Sequence, residues 1–175
     1  MSEKGNLRKK IEEFTQFIRI KLNLSSPLNM VEVIKTLGIE CEPVNDVDYD
    51  AKLAGNEKDG YRIEYDEKQI FARQQFSIAH ELGHLLLHKM NRVDTQYNGD
   101  TYYRKNGSSS QIEWEANEFA AALLMPREEF VDFCRNHVDA SGEIDLNDIA
   151  DKFGVSRQAA RVRGSVLNLW TIRQY

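Results

Sequence analysis

The sequence predicts an α+β fold, in which a small mixed or antiparallel sheet packs on a central helix and a helical hairpin closes the chain. Between residues 39 and 72, short segments alternate apolar and polar side chains, which is typical of strands. Other segments repeat apolar residues every three or four positions, which is typical of amphipathic helices. The segment from about residue 73 to 90 contains Leu85-Leu86-Leu87, which leaves little room for an exposed face, so we expect this helix to be central.

Two helices and several strands are predicted ahead of that central helix. The apolar stripe of the first helix is formed by Leu7, Ile11, Phe14, Ile18 and Leu22. The second helix is expected to begin at Ser26-Pro27, as N-cap and first helical position, and to end at Gly38. Strands are predicted at residues 39–44, 51–54, 61–65 and, as a short fourth, 70–72.

More helices are predicted after the central one. They cover residues 112–125, 128–137, 146–153 and 157–169. The intervening residues 91–110 are polar and rich in turn formers, and Asn98-Gly99 is a hairpin signal. This segment is either a surface loop or a hairpin that carries Tyr97, Tyr102 and Tyr103 over a cleft.

Composition and charge are those of one globular domain of 175 residues, with 41% hydrophobic and 29% charged residues. No apolar run is long enough to span a membrane, and the N-terminal MSEKGNLRKKIEEF lacks the apolar stretch of a secretory signal. Cys41 and Cys134 are too few for a disulfide framework, so we expect reduced thiols in a cytoplasmic protein. The net charge of −5 argues against direct nucleic-acid binding, although residues 152–175 carry basic and no acidic side chains.

Residues 76–88, FSIAHELGHLLLH, place three histidines and a glutamate in an apolar helical segment. His80 and His84 lie four positions apart, so both imidazoles project from one helix face. They can therefore bind one tetrahedral zinc ion with bonds of about 2.0–2.1 Å. Glu81 lies roughly 100° around the helix, where it can accept a proton from a metal-bound water. The alternative, two core histidines hydrogen-bonded to the backbone, would bury polar groups among leucines at a desolvation cost.

A catalytic zinc site needs a third protein ligand and one open position. His88 continues the series of four, but its face has turned by about 80° from that of His80. We therefore expect His88 near the helix C-terminus, where the helix dipole favours a cation, and not among the ligands. His137 is far along the chain, so the third ligand should be a carboxylate.

The segment IEWEANEFAAALLMP, residues 112–126, supplies the candidate carboxylates. Glu113 shares a helix face with Asn117, and the small Ala120-Ala121 continues this face, so the helix can pack closely against the histidine helix. We therefore predict Glu113 as the third ligand and Asn117 as a hydrogen-bond partner of a ligand imidazole. Two other acids of the segment point away from this face and are expected to be solvated surface charges, namely Glu115 and Glu118.

The blocks RQQFSIAHELGHLLLH and EWEANEFAAALLMP resemble the ImmA/IrrE family of bacterial and phage metallopeptidases, over roughly residues 28–168. The resemblance implies a zincin-like fold, with zinc bound by His80, His84 and Glu113 and with Glu81 as catalytic base. It also implies a protein substrate, because members of the family act on repressors of the helix-turn-helix type. Some relatives carry a DNA-binding domain in the same chain. Here the histidine helix starts near residue 73, so we expect the repressor to be a separate protein, encoded nearby.

The C-terminal IADKFGVSRQAARVRGSVLNL has the turn and capping residues typical of a helix-turn-helix, with Ser156 as the expected cap of the second helix. We divide the chain into a zincin-like metallopeptidase domain, residues 1–137, and a hairpin packed on it, residues 138–175. The inward face of the last helix is expected to consist of Ala159, Val162, Val166 and Leu169. Its outward face, which could contact phosphates, is expected to consist of Arg157, Arg161 and Arg163. Because Gly164 weakens a recognition helix, we favour packing on the core over a DNA-binding or repressor-docking role.

The sequence therefore predicts a zinc-dependent endopeptidase that hydrolyses a specific regulatory protein, a helix-turn-helix repressor of a prophage or mobile element. The oxyanion donor or substrate contact is expected among Tyr97, Tyr102 and Tyr103 or the C-terminal arginines, and an edge strand at residues 61–65 could hold the extended substrate. The alternatives are a non-catalytic anti-repressor with a structural metal, and a DNA-binding regulator.

Overall fold

The computed structural model describes residues 3–90, 109–139 and 143–170, and confirms the predicted α+β fold. The three tyrosines at positions 97, 102 and 103 lie outside the described residues. The elements in chain order are α1 (Glu3–Lys21), α2 (Met30–Thr36), β1 (Glu40–Val44), β2 (Ala51–Asn56), β3 (Gly60–Asp66), α3 (Phe71–Gly83), a π-helical segment (His84–Lys89), α4 (Ser109–Leu124), α5 (Arg127–Asn136), α6 (Leu146–Phe153) and α7 (Arg157–Val166). Within the described ranges, no helix is both long and apolar enough to cross a bilayer.

The sheet is mixed, with the strand order β1-β3-β2. β2 pairs antiparallel with β3 across a short turn, and β1 pairs in parallel with the other edge of β3. The prediction that residues 61–65 form a substrate cradle is therefore wrong, because β3 is the central strand and its backbone is hydrogen-bonded on both sides. The two edge strands are β1 and β2.

The predicted fourth strand at residues 70–72 is also wrong. Ile70 has extended backbone angles, but its carbonyl accepts hydrogen bonds from the N–H groups of Arg73 and Gln74, at 2.9 and 3.1 Å. These bonds start α3 at Phe71. Three apolar residues in a row imitate a buried strand, yet Ile70 is 70% exposed.

The core is formed by buried residues of all the α-helices and of β3, and within it α3 and α4 pack closely together. At Gly83 the two helices leave no space for a side chain: a Cβ there would lie 3.1 Å from the Phe119 ring and 3.2 Å from the Cα of Ala116. Ala116 and Ala120 are fully buried at the contact. The close packing expected from the small residues of α4 is thus observed, and the glycine of α3 contributes as much to it.

The inward face of α7 differs from the predicted one. Its buried residues are Ala160, Arg163 and Gly164, whereas Val162 is 42% exposed. The Arg163 Nε–H donates to the Met125 carbonyl at 3.0 Å, and Nη1 lies 3.1 Å from Glu12 Oε1, an ion pair without hydrogen-bond geometry. Arg163 is therefore a core residue and cannot contact phosphates.

Gly164 explains why the face of α7 is rotated. The Trp170 ring folds back onto it, and a Cβ on Gly164 would lie 1.8 Å from that ring. The indole N–H of Trp170 donates to the Arg161 carbonyl at 2.9 Å, which holds the ring in place. Because the aromatic ring fills the space beside the glycine, the side of α7 that carries Gly164 turns inward.

Substitution of Gly164 by alanine should destabilise the protein by about 1–3 kcal/mol, because the added methyl group overpacks against Trp170. An exposed helical glycine would instead give a gain of about 1 kcal/mol. Chemical denaturation measures the free energy of unfolding, with Ser165→Ala as the neighbouring control. In a Trp170→Ala background, Gly164→Ala should stabilise the protein. A more stable Gly164→Ala variant with Trp170 present would contradict this packing.

Candidate metal centre

Ligand atoms from α3, the π-helical segment and α4 converge at one point. The Nε2 atoms of His80 and His84 are 2.9 Å apart. Glu113 directs Oε2 to His80 Nε2 at 3.2 Å and Oε1 to His84 Nε2 at 3.3 Å. In the part of the chain that the structure describes, this is the one group of three such side chains whose ligand atoms all lie within 4.8 Å of one another.

These distances fit a shared metal ion. Two ligands bound to tetrahedral zinc at about 2.0–2.1 Å are separated by roughly 3.3 Å. The observed separations of 2.9, 3.2 and 3.3 Å lie close to that value. Two imidazole nitrogens and one carboxylate are a donor set that suits zinc and leaves the fourth position of a tetrahedron for water or substrate.

Hydrogen bonding orients the first imidazole for ligation. His80 Nδ1 lies 3.0 Å from Asn117 Oδ1. An amide oxygen only accepts, so Nδ1 carries the proton and Nε2 presents its lone pair to the metal position. Glu113 and Asn117, which share a face of α4, thus reach the same histidine, one at each ring nitrogen.

The second imidazole is held in its neutral form by burial. The His84 side chain is 1% exposed. This burial lowers the pKa of His84 to about 3, and the charges of His80, His88 and Lys89 act in the same direction. A neutral imidazole has the lone pair that a metal requires.

Glu81 lies beside the ligands and contacts the sheet. Its Oε2 accepts a hydrogen bond from the backbone N–H of Leu53 in β2 at 2.9 Å. Burial raises the pKa of Glu81 to about 7, the Leu53 N–H opposes this rise, and the negative charge of Glu113 adds to it. A cation at the neighbouring centre would favour the ionised carboxylate, which is the form that accepts a proton.

As expected, His88 lies in the last turn of the helix and outside the group of three ligand residues, but its ring does not turn away from His84, because the helix changes its pitch. From His84 to Lys89 the backbone is π-helical, with the Met90 N–H bonded to the Leu85 carbonyl at 3.0 Å. A wider turn needs more residues, so a step of four no longer overshoots a full turn as it does in an α-helix. His88 therefore lies on the same side of the helix as His84, one turn further along, with their Nδ1 atoms 3.2 Å apart.

Two glutamates predicted as solvated charges are instead paired. Glu115 is 17% exposed, and its Oε2 lies 3.1 Å from His88 Nε2. Glu118 is 11% exposed and binds the Arg8 guanidinium of α1 through two hydrogen bonds of 2.7 Å. The helical period correctly separates both from the Glu113 face, but it carries no information on the partners that other elements bring.

Comparison with protein families decides where this chain belongs. The family model described as Peptidase_M78, IrrE N-terminal-like domain, matches residues 34–165. The chain is a member of the Peptidase_M78 family. The matched range includes the histidine helix and the Glu113 helix, which together provide all three ligand atoms of the candidate centre.

A solved structure has a similar fold. A Mycobacterium tuberculosis transcriptional regulator superposes with a TM-score of 0.63 at 18% sequence identity. The alignment covers 90% of this M78 chain and 46% of the regulator. No curated protein sequence is significantly similar to this chain.

Zinc should bind at a stoichiometry of one ion per chain and raise the thermal unfolding temperature, because the ion binds only the folded state. His84→Ala and Glu113→Ala should abolish this rise. His137→Ala removes a histidine outside the cluster and should retain it. Elemental analysis gives the stoichiometry, and thermal unfolding with and without chelator gives the shift. A rise that persists in both ligand variants would locate the ion elsewhere.

Proposed function

We propose that this protein is a zinc-dependent endopeptidase that hydrolyses one regulatory protein, a helix-turn-helix repressor of a prophage or mobile element. The observation that carries the proposal is the convergence of His80, His84 and Glu113, with Glu81 next to the first ligand in sequence. Membership in a peptidase family supports the reaction type. The resemblance to the ImmA/IrrE family supports a repressor, encoded nearby, as the substrate.

The metal ion and the side chains would have separate roles in the hydrolysis. A zinc ion at the centre would polarise the scissile carbonyl and acidify the attacking water. Glu81 is placed to act as the general base, which would take a proton from the attacking water and return it to the leaving amine. Its anchorage to Leu53 at 2.9 Å fixes the carboxylate during both transfers. The two imidazoles and Glu113 would hold the ion, and Asn117 keeps His80 in the required tautomer.

The substrate would bind along β2, the edge strand next to the site. The Leu53 N–H points away from β3, since it donates to Glu81. Backbone groups alternate in direction along an antiparallel strand, so Ala51 and Gly55 face the same way as Leu53. Because Glu81 occupies the Leu53 N–H, an added strand would pair with the remaining outward groups of β2. An extended peptide paired there would run past Glu81 and the metal ligands.

A cytoplasmic location is part of the proposal, because a repressor would be met there. Both thiols agree with a reducing compartment. Cys41 and Cys134 are free, and burial raises the pKa of each to about 11, which makes them poor nucleophiles.

The second candidate function is an anti-repressor that binds its partner without cleavage. A protein described as a transcriptional regulator has a similar fold, and this supports a role in regulation. The similarity gives no information on whether the protein catalyses a reaction. In that case the metal would only stabilise the fold.

Glu81→Gln separates the two candidates. The amide cannot accept the proton from water, so the rate of repressor cleavage should fall by about 10²-fold or more. Zinc affinity should stay within about threefold of wild type, since Glu81 is not a ligand. The assay is co-expression with the neighbouring repressor, scored by its shortening, with Glu67→Gln as an exposed control. Repressor inactivation that survives Glu81→Gln would establish the binding function.

A DNA-binding function is disfavoured by the burial of Arg163, which leaves Arg157 and Arg161 as the accessible arginines of α7. If the hairpin binds no DNA, retention on heparin or DNA at low salt should be the same for wild type and for Arg157→Ala/Arg161→Ala. Steeply salt-dependent binding that the double substitution removes would support the DNA-binding regulator.

A further inference from the structure

We propose that His88 and Glu115 are positioning residues for the metal ligand His84, and that they hold its imidazole through a hydrogen-bonded chain that ends on α4. The inference rests on the proposed zinc site. It adds to that site two residues that regular helical geometry places away from it.

The chain of contacts runs from the π-helical segment to α4. His84 Nε2 faces the metal position, and its Nδ1 lies 3.2 Å from His88 Nδ1. His88 Nε2 lies 3.1 Å from Glu115 Oε2. Glu115 Oε1 in turn accepts a hydrogen bond from the Gln111 side-chain amide at 2.9 Å.

With a metal ion bound at His84 Nε2, the proton of His84 is on Nδ1, and the donors and acceptors along this chain then permit one assignment of protons. A carboxylate only accepts, so His88 Nε2 carries a proton and donates it to Glu115. Neutral His88 then has a lone pair at Nδ1, which accepts from Nδ1–H of His84. His84 is left with its lone pair at Nε2, directed at the position where the ion would lie. Removal of Glu115 would free His88 to adopt the other tautomer, and the preference at His84 would be lost.

Burial makes these contacts hard to replace by solvent. The side chains of His88 and Glu115 are 16% and 17% exposed, and His84 is 1% exposed. Water could satisfy an exposed histidine in either tautomer, but here the protein supplies the partner. A carboxylate that orients a ligand imidazole also increases the basicity of the ligand, which strengthens its bond to the metal.

The two ligand histidines are thus oriented by different means from the same helix. Asn117 orients His80 directly, through a hydrogen bond of 3.0 Å. Glu115 orients His84 indirectly, through His88, because the π-helical segment places this third imidazole between them. α4 then supplies one metal ligand and both orienting groups.

Zinc affinity tests the proposal without any need for the substrate. His88→Ala and Glu115→Ala should each weaken zinc binding by about 10–100-fold, measured by competition with a chelator. The double variant should bind no more weakly than His88→Ala alone, because Glu115 acts through His88. Cobalt-substituted protein should show altered visible absorption bands in both single variants.

Conservative variants separate orientation from folding. His88→Asn places an amide oxygen near the position of Nδ1 and should restore most of the affinity, as should Glu115→Gln, whose oxygen still accepts from His88. Glu118→Ala removes a buried glutamate of the same helix that pairs with Arg8, and should lower stability without changing zinc affinity. Thermal unfolding of the metal-free variants provides the comparison.

The outcomes distinguish this inference from the proposed function. If wild type binds zinc and both alanine variants bind it within about twofold, the inference is overturned and the metal site stands. The inference also fails if affinity falls only in proportion to metal-free stability and His88→Asn restores nothing. If wild type binds no zinc, the proposed function fails and the inference fails with it.

Discussion

The site depends on how closely α3 and α4 approach each other. Gly83 lies directly before His84, a candidate metal ligand, and a Cβ there would lie 3.1 Å from Phe119 and 3.2 Å from the backbone of Ala116. This approach lets a carboxylate on one helix meet two imidazoles on the other with no ligand contributed by a loop. The precision of the site is therefore a property of helix packing, where positions are fixed by many contacts at once.

The π-helical segment adds a second constraint. An α-helix that continued past His84 would carry His88 around to another face. The wider turn keeps it in contact with His84 and within 3.1 Å of Glu115. π-helical turns are frequent at functional sites, and here the turn begins at a residue that would bind the metal. The irregularity extends the set of groups that α4 can bring to the centre.

The sequence was most informative where one local rule decides the geometry. Residues four apart on a helix share a face, which predicted that His80 and His84 converge and that Glu113 and Asn117 do so on α4. Ser156 caps α7 as predicted, whereas the predicted start of the second helix at Ser26-Pro27 is wrong, because Asn29 caps α2, which begins at Met30. Features that depend on several elements were missed. The central place of β3 follows from β1 pairing with it in parallel, and the burial of Arg163 follows from a carbonyl and a carboxylate on distant segments. Neither partner can be read from the local pattern.

The hydrogen bond between Leu53 and Glu81 couples two events that are usually considered apart. The strand that would align a bound peptide is also the strand that anchors Glu81, the proposed catalytic carboxylate. A segment too bulky or too folded to lie flat along β2 would displace the strand and the proton acceptor together. Discrimination between substrates would then appear in turnover more than in occupancy, and a poorly matched protein could remain bound without being cut.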